Sequence, residues 1–77
     1  MVDVPELMKQ LGCIVELAFN DGQVVRAKLQ TINIEGSEMS YRVVELIAAG
    51  SAPLRSAAPG SAVVANVADL VEFKCLN

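Results

Sequence analysis

Apolar and polar positions alternate on both sides of an Asp-Gly pair in the first third of the chain. Cys13, Val15, Leu17 and Phe19 share one parity, and Val25, Ala27 and Leu29 share another beyond Asn20-Asp21-Gly22. Strict alternation predicts half-buried strands, and Asp-Gly between two such runs predicts a hairpin. Loop length decides whether the two apolar faces coincide. A two-residue Asp21-Gly22 turn sets Leu17 against Arg26 and Val15 against Lys28, mixing core with solvent. A three-residue loop with Gly22 left-handed sets Leu17 against Val25, Val15 against Ala27 and Cys13 against Leu29. It also places Glu16 across from Arg26, a favourable cross-strand pair. The three-residue loop is expected.

The second run outlasts the first. Its inward parity is odd at Val25, Ala27 and Leu29 and even at Ile32 and Ile34. Such a switch needs one extra residue, a bulge near Gln30-Thr31, and a long bulged strand bends a small sheet toward closure. Upstream, Asp3 or Val4 caps a short helix over about residues 4–11. Pro5 and Glu6 suit its first turn, Val4, Leu7, Met8 and Leu11 form its stripe, and Gly12 suits its end. Residues 37–50 admit two readings. The β-branched density of Met39 to Ile47 after Glu35-Gly36 favours a strand, while Ser37 capping a helical stripe through Met39, Val43, Leu46 and Ile47 is the alternative. Residues 48–61, small and rich in Pro and Gly, predict a long exposed loop, either functional or a tolerated insertion. A short strand over Ala62 to Ala65, a tight turn at Asn66 to Asp69 and a strand from Leu70 to Leu76 follow. In this last strand Val71, Phe73 and Cys75 are expected to face inward.

The chain of 77 residues reads as one domain, near the size where a single core needs help. Histidine is absent and Cys13 and Cys75 lie far apart, so a metal site has almost no ligands to draw on and no cofactor is expected. Both cysteines fall on apolar strand faces, which suggests buried reduced thiols in a cytoplasmic setting, with a Cys13–Cys75 bridge as the minor alternative. Oligomerisation is the remaining help, and a hydrophobic content of 53% points the same way. No run approaches the ~18 apolar residues of a membrane span. Residues 1–9, with Asp3 and Glu6, lack the layout of a signal peptide. A net charge of −3 argues against a broad polyanion-binding surface but not against a local basic patch.

Helix, strand, Asp-Gly hairpin, long bent strand, third strand, variable loop, short strand, tight turn and final strand: this order resembles the Sm-like family. The local match is Leu11-Gly12 followed by Val15, Leu17, Asp21-Gly22, Val25 and Leu29, similar to the family's first motif. Ala65-Asn66 stands near the place of the family's Arg-Gly. The resemblance implies an all-β fold, a small five-stranded, strongly bent antiparallel barrel of SH3 type with a short N-terminal α-helix. It also implies a homo-oligomeric ring associated with RNA. In that family RNA meets loops facing the ring pore, which makes Asn33, Glu35, Asn66 and Asp69 the corresponding positions. Asn33 and Asn66 are the two able to bond base edges.

Catalysis finds little to work with. There is no His, no Gly-x-Ser-x-Gly elbow and no Gly-rich loop before Lys-Ser or Lys-Thr, and Glu16, Glu45 and Glu72 stand singly on outward faces. The protein is not expected to be an enzyme. For nucleic acid, Arg26, Lys28 and Arg42 can align across strands on one outward face, with Arg55 and Lys74 as further cations. The competing reading is a solvated surface with Glu16 paired to Arg26. Tyr41 is the one candidate stacking platform, and an inward place in the core is its expected fate. The expected partners are copies of the chain itself, joined edge to edge, and single-stranded RNA or DNA. The rival is a structural or protein-interaction ring without nucleic acid.

Overall fold

The computed structural model describes residues 2–33, 35, 37–51 and 55–76. A short helix α1 (Val4–Met8) precedes β1 (Ile14–Phe19), β2 (Gln23–Asn33), β3 (Glu38–Ala49), β4 (Ala62–Asn66), a single 3₁₀ turn at Val67–Asp69 and β5 (Leu70–Cys75). All neighbours are antiparallel in one sheet of order β4-β3-β2-β1-β5. Residues 37–50 therefore take the strand alternative. The expected all-β fold with one short helix is present, but the sheet is not closed by hydrogen bonds, and β4 and β5 are its two edges.

The first hairpin has the three-residue register. Leu17 pairs with Val25, Val15 with Ala27 and Glu16 with Arg26. Gly22 stands at φ +91°, and its N–H donates to the Phe19 carbonyl at 3.0 Å. The bulge expected near Gln30 is there: Leu29 pairs with Tyr41 and Thr31 with Ser40, leaving Gln30 extra. Beyond it Ile32 returns to the edge of the core, while Ile34 and Gly36 lie outside the described residues.

Curling follows from geometry. In a flat sheet four inter-strand steps of ~4.8 Å hold the edge strands about 19 Å apart. Yet Asn66 at the end of β4 and Leu70 at the start of β5 are separated by three residues, which reach at most about 14 Å. The sheet must wrap. Val63 and Ala65 of β4, Leu70 of β5 and the inward residues of the three central strands accordingly form one core, which Leu7 of α1 joins.

Several expectations need correction. The helix stops at Met8 instead of near Leu11, which is exposed, because the chain continues in tight turns from Gln10 N–H to Leu7 and from Leu11 N–H to Met8. Asp3 caps the helix by accepting from Glu6 N–H at 3.4 Å. In β5 the inward residue is Leu70, and Val71 is exposed. Phe19 pairs with Leu70 and Ala18 with Glu72, so Val71 is a bulge that shifts the parity. Phe73 is half-buried, but Cys75, at the far end of an edge strand, is exposed instead of buried; Cys13 is half-buried. The expected loop over 48–61 is shorter, because Ala48 and Ala49 belong to β3. No helix among the described residues is long and apolar enough to cross a membrane.

Candidate nucleic-acid interface

Alternation along β2 and β3 sends Arg26, Lys28 and Arg42 to the outward face, as the sequence suggested, and register decides what each meets. Arg26 lies between Glu16 and Glu45, its Nε 3.5 Å from the Glu16 Oε1 and its Nη1 3.5 Å from the Glu45 Oε2. Its charge is matched on both sides. Lys28 stands directly opposite Arg42, with Ile14 on its other flank and Ala62 beyond Arg42. That row holds two cations and no carboxylate. Arg42 Nη1 donates to the Gly60 carbonyl at 2.6 Å, which fixes the guanidinium without neutralising it. Past the Gln30 bulge, Thr31 and Ser40 share a hydroxyl bond of 2.5 Å, so the cation pair borders a polar row.

The candidate turn residues divide into two places. Asn33 pairs with Glu38, and Glu38 pairs with Asn66, so the two asparagines share one row with a carboxylate between them. Asn66 Oδ1 accepts from Ala68 N–H at 2.9 Å and caps the 3₁₀ turn. Asn33 also borders an apolar cavity of about 120 Å³ lined with Val4, Ile32, Ser37 and Val67. Glu35 is exposed beside this row. Asp69 is not part of it: its carboxylate accepts from Asn20 Nδ2 at 3.4 Å, beside the first hairpin.

Tyr41 is buried, as expected, and offers no surface for stacking. Burial pushes its hydroxyl up from 10.0 to about 12, with nearby Arg55 acting downward and Asp21 upward.

Sequence reasoning missed the cluster around Arg55. Placed among exposed loop residues by composition, Arg55 instead folds inward, its guanidinium carbon 4.1 Å from the centre of the Phe19 ring. Its Nη2 is 2.6 Å from Asp21 Oδ2 and its Nε donates to Gln23 Oε1 at 3.0 Å. Asp21 Oδ1 accepts from Gln23 N–H at 3.0 Å. Among the described residues, Gln23 Nε2 and the Tyr41 hydroxyl make no hydrogen bond. One signal was available: an Arg isolated in a run of Ala, Ser and Pro has few other reasons to be there.

No group of three or more His, Cys, Asp or Glu residues among those described is placed to hold a metal ion. Comparison of the chain with protein-family profiles, curated proteins and solved structures gave no match.

Proposed function

We propose that this chain is a non-catalytic module that assembles with copies of itself into a ring and binds single-stranded nucleic acid, RNA before DNA, across the outward face of its sheet. The observation that carries this reading is the Lys28–Arg42 juxtaposition. Like charges directly opposite one another destabilise a sheet, and here no acid shares their row. A backbone phosphate repays that repulsion. Arg26, held by two carboxylates, contributes less. Self-association rests on the two open edges, which carry Val64 and Val71 exposed and unlike one another; unlike edges close into a ring or extend as a filament. The resemblance to Sm-like proteins supports the ring and the RNA partner, while pointing to the pore-facing turns and not to the outward face as the place of contact.

A second reading, a structural or protein-interaction ring, is favoured by the Asn66–Glu38–Asn33 row, where a carboxylate sits among the candidate base-reading groups. Titration of labelled oligo-U and oligo-A across a salt series separates the two. Binding that weakens with salt is expected, with each lost phosphate contact lowering the logarithmic slope by about 0.7 on single strands. Lys28→Ala and Arg42→Ala should each reduce that slope, whereas Asn33→Ala and Asn66→Ala should leave it unchanged. If the asparagine variants alone abolish binding, the site lies at the turns. No binding at low salt leaves the second reading in place.

A further inference from the structure

The pocket that holds Arg55 is walled by one element and filled from another. Phe19, Asp21 and Gln23 all belong to the first hairpin. Its turn is fixed by Gly22 N–H bonding the Phe19 carbonyl and by Gln23 N–H bonding Asp21 Oδ1, and neither bond involves Arg55. The occupant is a planar group over the Phe19 ring that presents two neighbouring N–H donors, Nε to Gln23 Oε1 and Nη2 to Asp21 Oδ2. Because Arg55 Nε can only donate, the Gln23 amide must turn its oxygen toward it, which leaves Nε2 on the other side. Gln23 and Tyr41 are fully buried, yet Gln23 Nε2 and the Tyr41 hydroxyl make no hydrogen bond among the described residues. A buried polar atom without a partner is costly. A guanidinium cannot relieve Gln23 Nε2, since it has no acceptor to offer.

We infer that this pocket is a site for a guanine base and that the Arg55 side chain is its resident mimic. The N1–H and the exocyclic N2–H of guanine reproduce the Nε–H and Nη2–H of Arg55, on a flat ring suited to stacking on Phe19. Beside N1 guanine carries O6, an acceptor placed where the unused Gln23 Nε2 needs one. The Gln23 amide then bonds the base through both its polar atoms, Nε2 to O6 and Oε1 from N1–H, while Asp21 Oδ2 accepts from N2–H. Adenine has no donor facing Asp21 in either orientation of the amide, and hypoxanthine keeps the Gln23 pair but loses the Asp21 bond. Arg55 brings the charge that Asp21 favours, and guanine brings the acceptor that Gln23 lacks, so the two compete for one place. The site stands independently of the Lys28–Arg42 row: its reading groups are buried at the hairpin end of the core, whereas that row faces outward.

Equilibrium dialysis of labelled GMP, IMP and AMP against the full chain carrying Arg55→Ala, with far-ultraviolet dichroism to follow folding, tests the site. The variant is expected to bind GMP at least about tenfold more tightly than AMP or IMP. It should also bind GMP more tightly than the wild type does, because there Arg55 must first leave. If Arg55→Ala is unfolded by itself, GMP should restore its dichroism and AMP should not, since a ligand of the folded state draws the equilibrium toward it. A uridine tract carrying one guanosine, compared with plain oligo-U, separates a base within a strand from a free nucleotide, and a preference for either guanine source supports the site. Equal binding of GMP and AMP, or stabilisation of the variant by free guanidinium with none by GMP, overturns it and leaves a pocket that serves Arg55 alone. Neither of those results alters the salt-dependent binding expected at Lys28 and Arg42, so the two readings fail separately.

Discussion

Arg55 shows how a single side chain can tie a loop to a core. The ion pair with Asp21 is nearly buried, at 8% and 16% side-chain exposure, so desolvation offsets much of its attraction. The Gln23 Oε1 and the face of Phe19 supply the rest. Arg55→Ala should cost about 2 kcal/mol in denaturant unfolding, since it leaves the nearly buried Asp21 without its cation. A double-mutant cycle with Asp21→Ala should show coupling above ~1 kcal/mol; additivity would mean the contact carries no energy. Tyr41 gives a second test, because it is the single tyrosine in a chain without tryptophan. Burial raises its hydroxyl from 10.0 to about 12, so the folded state holds that proton more tightly than the unfolded chain. The corresponding stability is complete below pH 10 and is lost as pH climbs toward about 12, to a total of about 3 kcal/mol. Phenolate absorbance should therefore rise late and together with unfolding. A midpoint near the ordinary tyrosine value in the folded protein would show the ring to be accessible.

Among elements, the end of β3 is tightly constrained where it passes Gln23. Gly50 has φ +79°, and a Cβ there would lie 2.8 Å from the backbone nitrogen of Gln23. Backbone cannot yield as a flexible side chain can, so Gly50→Ala should cost at least about 2 kcal/mol, read from the shift in denaturant midpoint. Unchanged stability would show that β2 and β3 separate easily at this end. The first hairpin was legible because β1 and β2 carry their apolar residues on one parity each, and a single loop length reconciles them. The Gln30 bulge was legible as a parity switch between Leu29 and Ile32. The bulges of β3 and β5 were not, because Val43-Val44, Leu46-Ile47 and Leu70-Val71 put apolar residues on both parities. Alternation is then silent, and only pairing with β2 or β1 decides which residue turns inward. The candidate site was legible to the same extent. Parity placed Arg26, Lys28 and Arg42 outward, but the Glu45 beside Arg26 and the Arg42 beside Lys28 depend on a bulged register that no local pattern shows.

For the molecule as a whole, the decisive property is that wrapping brings the sheet edges near each other without joining them. A protein that satisfies its edges through copies of itself is stabilised by mass action. Its thermal midpoint should rise steadily with protein concentration, and a midpoint independent of concentration would mean the isolated chain is the stable unit. The pairing of β1 with β5 has a further consequence in time. Val15 and Cys75 are partners in the sheet, so the second strand to hydrogen-bond β1 is made some 60 residues after β1 itself. A nascent chain can form the consecutive hairpins of β1, β2 and β3 early, but it carries a bare β1 edge until residues 70–75 have left the ribosome. Neighbouring ribosomes on one message hold such edges close together and at high local concentration. The period of greatest exposure to mispairing is therefore synthesis, when the strand that should protect β1 has not yet been made.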